Sequence, residues 1–410
     1  MKLENQVYTI QGIPVIDIAQ EFETPVYVYD ADKIVEQCNR LKNAFNGINV
    51  KIKFACKALT NISVLKLIRE QGLDIDCVSI QEIQLAMIAG FEPSQIQYTP
   101  SGVHFSEIKE AVKIGVKINV DSISLLEKMG ETYKGTVPVC LRINPYIQDG
   151  GNLKISTAHK DSKFGISCEL GDEIAAVVKK FGIHVNGLHQ HTGSDLKNAK
   201  SIFEAGSVLF EMAMKYFPDL EFIDFGGGFK IAYKEGDAIT NIEDFGKDAS
   251  TLFHNFCLQY GKKLELWFEP GKFLVSECGT FLTTANVVKS SPHRNFVGVD
   301  SGLNHLIRPM MYDSYHEIIN ASNTNFSKTE TYDIVGYICE TDTFGKDRNL
   351  PIVTEGAIIA FKNAGAYGFT MASQYNSRFR PAEVMVVNGE AKLIRSRDTM
   401  DDILKNQILI

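Results

Sequence analysis

Residues 54–61 read FACKALTN, and Lys57 within them can do chemistry that its neighbours cannot. Residues 51–55 (KIKFA) have the pattern of a short buried strand and residues 63–70 that of a helix, which leaves Lys57 in the turn between them. In a parallel β/α architecture the carboxyl end of a strand is where active sites are built. A partly desolvated lysine there is less firmly protonated and can form an imine with an aldehyde. A solvated loop lysine satisfies the same spacing.

Three further stretches carry complementary groups. Residues 225–229 (FGGGF) place three glycines at a strand exit, which suits close backbone approach to a ligand and N–H donation to a phosphate, or simply a tight turn. Residues 189–194 (HQHTGS) offer His189 and His191 as paired metal ligands or, without a metal, His191 as a flat ring over an aromatic cofactor, with Gly193 and Ser194 as phosphate donors. Residues 269–272 (EPGK) fix the Glu269 carboxylate behind the apolar run LELWF, where it can pair with a protonated ring nitrogen, and Gly271 adds a backbone donor. An imine-forming lysine, a stacking histidine, an anion for a pyridinium and a glycine-lined cup make up the inventory of a pyridoxal 5'-phosphate site.

These groups need a frame. Strand-like runs recur at residues 52–55, 75–78, 96–98, 117–120, 138–143, 187–189, 222–225 and 264–268, with helical patterns such as 80–89 and 107–114 between most of them. Eight such units over roughly 220 residues is the size of a (β/α)8 barrel. Polar, acidic or glycine residues follow every run, although Ser79 with Glu82 is explained by a helix capping box alone. Beyond about residue 272 the texture turns to β-branched runs (281–288, 296–299, 331–338, 357–361 and 384–394), the last with an Asn388-Gly389 hairpin turn. The expected fold is α/β: a TIM-type barrel over 34–272 with a second, discontinuous all-β domain, sandwich- or barrel-like, from 1–33 and 273–410.

Bulk properties narrow the partners. A net charge of −8 without a Lys/Arg run disfavours nucleic acid and anionic membranes, and no leader or 18-residue apolar span is visible, so a cytoplasmic enzyme with a small-molecule substrate is expected. The eight cysteines show no CxxC pair or regular spacing, so neither disulfides nor a zinc site is indicated, and no metal is expected.

FACKA, HQHTGS, FGGGF, EPGK, Cys339-Glu340 and Gly365-Ala366-Tyr367 stand in the order seen in the barrel-type pyridoxal-phosphate decarboxylases, and the set resembles those acting on diaminopimelate. The resemblance spans residue 54 to about 381. It implies Lys57 as the Schiff-base lysine, His191 over the ring, Glu269 at its nitrogen, and Ser194, Gly227, Gly228, Gly271 and Tyr367 around the phosphate. Residues 163–166 (KFGI) also match, without a role of their own. Arg308, with Tyr312 close behind, is similar to the family's clamp for a distal carboxylate, where the residue alone reads as a surface arginine. Cys339, by itself a buried strand-end thiol, becomes the proton donor after CO2 leaves, and Glu340 the reader of a distal ammonium. Both are expected from the other subunit of a homodimer.

Two departures affect substrate grip: Lys272 stands where the family commonly has arginine, and Thr341 where it usually has a small residue. The expected reaction is conversion of meso-2,6-diaminopimelate to L-lysine and CO2, the last step of lysine biosynthesis. Ornithine or carboxynorspermidine decarboxylation, a non-catalytic pyridoxal-phosphate regulator and a metal-dependent hydrolase using His189 and His191 are the alternatives.

Overall fold

Eight short strands, rich in buried β-branched and aromatic residues, pair in parallel: Asn49–Ala55, Asp74–Cys77, Ile96–Tyr98, Lys117–Val120, Val139–Asn144, Val185–His189, Phe222–Asp224 and Glu265–Phe268. Lys51 of the first lies opposite Trp267 of the last, so the sheet closes on itself. These elements belong to a computed structural model that describes residues 1–147, 157–194 and 200–410. A two-residue strand, Ile166–Ser167, adds to the edge of Val139–Asn144.

Helices follow the strands because local capping starts them and one apolar face each holds them down. The Asn61 side chain accepts the Ser63 N–H at 3.0 Å to begin Ile62–Glu70, whose Val64, Leu65 and Ile68 are buried. Ser79 does the same for Ile80–Ile88 through the Glu82 N–H at 3.1 Å, and Glu82 reaches back to the Val78 N–H at 2.8 Å. Phe105–Ile114 stops at Gly115, whose φ of 92° is the left-handed cap that glycine adopts freely.

The barrel interior is not a purely apolar core. Phe222 stacks on Trp267 with ring centroids 3.3 Å apart, and the fully buried Lys53 ammonium sits 4.1 Å above the same indole and 3.8 Å from Asp74. Above that layer Asp76, Thr99, Asn119, Arg142, His189, Asp224 and Glu269 are all buried polar residues.

Two compact units emerge: Met1–Val35, Ala232–Asp237 and Leu274–Ile410 in one, Glu36–Ile231 and Ala238–Phe273 in the other. The first is built on a sheet ordered Thr343–Pro351, Thr329–Val335, Asn295–Val299, Gly279–Ser290, Val26–Asp30, Ala382–Val387 and Glu390–Arg395. Ile358–Phe361 pairs with Gly279–Ser290 and carries Ile318–Asn320 on its far side. Val26, Val28, Leu282, Ala360, Val384 and Val386 form its core with Ile10 and Ile18. Asn388 and Gly389, at φ 54° and 73°, make the hairpin turn.

The amino-terminal strands behave in two ways: Val26–Asp30 enters the large sheet, while Lys2–Glu4, Val7–Ile10 and Ile13–Pro14 form a small sheet of their own. The unit also holds short helices, Val15–Phe22, Arg308–Tyr312 and Met400–Leu404, that β-patterning does not anticipate.

Helix packing gives a direct test. A Cβ on Gly246, in helix Ile242–Tyr260, would lie 2.2 Å from the Ala44 carbonyl oxygen. Gly246→Ala is therefore expected to destabilise the barrel unit by about 1–3 kcal/mol through overpacking, read as a lowered urea midpoint.

Candidate active site

Every residue that the sequence singled out on the barrel lies just beyond a strand's carboxyl end or at its last position. Lys57 occupies a tight turn, Cys56–Ala58, immediately after Asn49–Ala55. The Ala55 N–H donates to the Pro270 carbonyl at 3.0 Å, which ties this strand end to the EPGK segment. Cys56 and Ala58 are buried and Lys57 is exposed. Its charge still lowers the pKa of Asp76, Glu82, Glu269, His189 and His191, placing it among them electrostatically.

The histidine, triglycine and EPGK segments are sewn together by backbone hydrogen bonds. The Glu269 N–H donates to the Gly226 carbonyl at 2.8 Å, the Phe225 N–H to the Trp267 carbonyl at 3.0 Å, and the Gln190 N–H to the Asp224 carbonyl at 3.0 Å. This closeness requires glycine. A Cβ at Gly227 would come within 2.2 Å of the Glu269 carbonyl oxygen, and one at Gly226 within 2.5 Å of that of Gln190. The Gly227 N–H donates to His191 Nδ1 at 3.2 Å.

Charge is distributed unequally over three buried carboxyls. Burial pushes Asp76 and Asp224 well above the usual carboxylate range, and Glu269 pushes both further in the same direction. Burial also raises Glu269, but His189 beside it, then Lys57 and His191, outweigh this and hold it well below that range. Glu269 Oε2 accepts from His189 Nε2 at 3.1 Å, while Oε1 is buried with no hydrogen-bond partner in the structure. Burial lowers the His189 pKa against the pull of Glu269. His189, Asp224 and Glu269 ligand atoms lie within 4.8 Å of one another, whereas His191 Nδ1 is turned to Gly227.

Residues that the sequence did not single out complete the arrangement. Thr99 donates to Asp76 Oδ1 at 2.6 Å, and the Gly226 N–H to Asp224 Oδ1 at 2.8 Å. Buried Arg142 lies 4.7 Å from the Phe164 ring centroid, which gives KFGI a role: its Ile166 joins the barrel edge and its phenylalanine packs on the guanidinium. Position at a strand exit was the available signal; Asp76 and Arg142 fall inside their strands, and Asp224, the last residue of its strand, lies within the run read as 222–225. Lys272 is buried at the start of a short helix, Lys272–Val275.

The other unit brings a second set together. Buried Arg308 has its guanidinium 5.7 Å from the ring centroids of both Tyr312 and Tyr367 and donates to Ser314 Oγ at 3.3 Å. Tyr367 holds a left-handed φ of 56° just after Gly365, where a Cβ would strike the Val275 carbonyl at 1.8 Å. Cys339 and Glu340 are exposed, so the thiol is not the buried strand-end cysteine that its sequence alone suggests. Asn376 Nδ2 donates to Cys339 Sγ at 3.5 Å, and Tyr375 donates its hydroxyl to Glu340 at 2.9 Å. Asp342 shapes the loop, accepting from the Leu303 N–H at 2.7 Å and the Ile338 N–H at 2.9 Å.

Comparison with known proteins identifies the class. The family described as "Pyridoxal-dependent decarboxylase, pyridoxal binding domain" matches residues 31–276, and the chain belongs to these barrel-type decarboxylases. It is 38% identical over 406 residues to the diaminopimelate decarboxylase of Methanothermobacter thermautotrophicus, covering 97% of this chain and 95% of that one. The Escherichia coli diaminopimelate decarboxylase is 33% identical, with 95% of each chain covered. A crystal structure of the Helicobacter pylori diaminopimelate decarboxylase with L-lysine superposes with a TM-score of 0.88 at 34% identity, covering 95% of this chain and 98% of that one. Within its class the chain therefore sits in the diaminopimelate decarboxylase family.

The buried histidines make stability depend on pH with a definite sign. Burial depresses His189 and His191 below the ordinary value of 6.5, so the unfolded chain binds protons that the native state refuses. Stability is then complete above about pH 6.5 and falls as pH drops toward the folded-state values, by up to ~1.4 kcal/mol per pH unit for each ring. His191→Phe should remove one ring's share of that slope in urea denaturation run from about pH 7.5 to about pH 5.

Proposed function

We propose that this chain decarboxylates meso-2,6-diaminopimelate to L-lysine and CO2, using pyridoxal 5'-phosphate held on the barrel. The observation that carries this reading is the buried Glu269 carboxylate, which spends one oxygen on His189 and leaves the other without a donor. A pyridinium N–H is the donor such an oxygen lacks. The residues present fit the coenzyme: Lys57 would hold its aldehyde end, the neutral His191 ring its face, and Glu269 its nitrogen. Ser194, Gly227, Gly228, Gly271 and Tyr367 would surround its phosphate, Gly227 also meeting His191 Nδ1 through its N–H. When bound, the coenzyme supplies a covalent tether for an amine and a sink for the electrons of the broken Cα–carboxylate bond.

The chain's own residues do the rest. Arg308, stiffened between two tyrosine rings, offers a guanidinium fork to the distal carboxylate, and Glu340, steadied by Tyr375, an anion to the distal ammonium. Lys272 presents a point charge to substrate in place of the family's arginine. Cys339 gives its Sγ proton to the carbon that has lost CO2, and the Asn376 amide donates to the sulfur that remains. The exposure of Cys339 and Glu340 supports their delivery to a partner's site in a homodimer. Eight unpaired cysteines suit a cytoplasmic setting, and no helix among the described residues is long and apolar enough to cross a membrane.

Following CO2 release from meso-diaminopimelate, ornithine and carboxynorspermidine in parallel tests the substrate. Turnover is expected with the first; ornithine or carboxynorspermidine turning over faster ends the reading. Lys57→Ala should abolish the coenzyme's visible absorbance and all turnover.

Cys339→Ala should lower kcat by about 10²–10⁴-fold with coenzyme still bound. Mixing Lys57→Ala with Cys339→Ala chains should restore part of the activity, which no arrangement other than shared sites allows; two inactive chains that stay inactive when co-assembled count against the dimer.

A further inference from the structure

The unit built from residues 1–35, 232–237 and 274–410 contains a cavity of about 550 Å³ whose lining includes none of the residues assigned above. That volume is in the range of metabolite sites. Two guanidiniums, Arg378 and Arg397, line it, and no ion pair joins either to a carboxylate among the described residues. Arg378 instead lies 4.1 Å from the Tyr337 ring centroid, and Arg397 donates to the Glu23 carbonyl at 3.1 Å. Burial lowers the Arg397 pKa, the mark of a cation held out of water without full compensation.

The third polar group is His305, whose side chain is 1% exposed. Its Nδ1 meets Ser301 Oγ at 3.1 Å, and the Phe379 backbone beside the ring in the same lining raises its pKa against the lowering by burial. With Ser301 donating to Nδ1, the proton is on Nε2 and that atom is a donor. The carboxylate that shares the lining, Asp300, is occupied: it accepts from Thr24 Oγ1 at 2.5 Å and from the Thr284 N–H at 2.9 Å. Pro25, Val287 and Val299 give the remaining wall an apolar character. Two guanidiniums, one exposed and one half-buried with only the Glu23 and Asp300 carboxylates in electrostatic reach among the described residues, and a buried imidazole around an apolar-walled hollow define what fits: an oxyanion on a small organic body.

We infer that this cavity binds a small organic anion, a carboxylate or a phosphate ester, through Arg378, Arg397 and His305. The site is separate in composition from the coenzyme and substrate residues, so it can be measured with those filled.

Isothermal titration of the full-length, coenzyme-loaded enzyme with inorganic phosphate, and separately with citrate, tests the inference. At least one is expected to bind with a Kd below about 1 mM while the coenzyme's spectrum stays unchanged. Phosphate alone would mark a phosphate ester as the ligand, and citrate alone a carboxylate. Arg378→Met, at an exposed position, should weaken binding about 10-fold or more with an unchanged urea midpoint, as should Arg397→Met and His305→Phe where they fold. If neither anion binds, or if the Arg378→Met enzyme binds as tightly as the parent, the inference fails. Binding that emerges only on dilution to single chains would show that a partner chain fills the cavity and would overturn it equally.

Discussion

A single buried negative charge organises the barrel site. Three carboxyls, Asp76, Asp224 and Glu269, are enclosed among the strand ends, and low polarity makes it costly for more than one to ionise. Glu269 is the one that does, because His189 donates to it while Lys57 and His191 lie within electrostatic reach. Its charge in turn pushes the Asp76 and Asp224 pKa values further up, beyond the effect of burial. The carboxylate's position follows from backbone: its own N–H is bonded to Gly226, and the glycines at 226 and 227 let the histidine, triglycine and EPGK segments touch. Electrostatics and chain packing are thus one constraint, since moving the backbone of any segment would displace the charge.

The second unit uses different means to present its groups. Arg308 is buried and flanked by aromatic rings, so its guanidinium loses little freedom when it meets a carboxylate. Cys339 and Glu340 are exposed, yet their loop is built from within by Asp342, whose two oxygens collect backbone N–H groups from residues 303 and 338.

Much of this was legible in the chain. Eight apolar runs, the Ser79-Glu82 cap, Gly115 as a helix stop and the Asn388-Gly389 turn are local rules, and each holds in the structure. Strand limits were displaced by up to three residues, since strand ends are set by partners. Thr343–Pro351 was not legible. Its sequence, TFGKDRNLP, has weak β-propensity and an interrupted alternation, and it is a strand because Thr329–Val335 pairs with it across two irregularities of register.

The order of chemical motifs along the chain, and therefore the class of reaction, was determined by sequence alone, because amine, imidazole, carboxylate and glycine carry their chemistry as residue types. Which carboxyl keeps its charge, that Lys57 is exposed, that Gly227 serves His191, and that Arg142, Asp76 and Asp224 join the site were decided only by tertiary structure. Those properties depend on burial and on neighbours brought from other strands. Solvent exclusion and through-space charge have no counterpart in the linear order of residues.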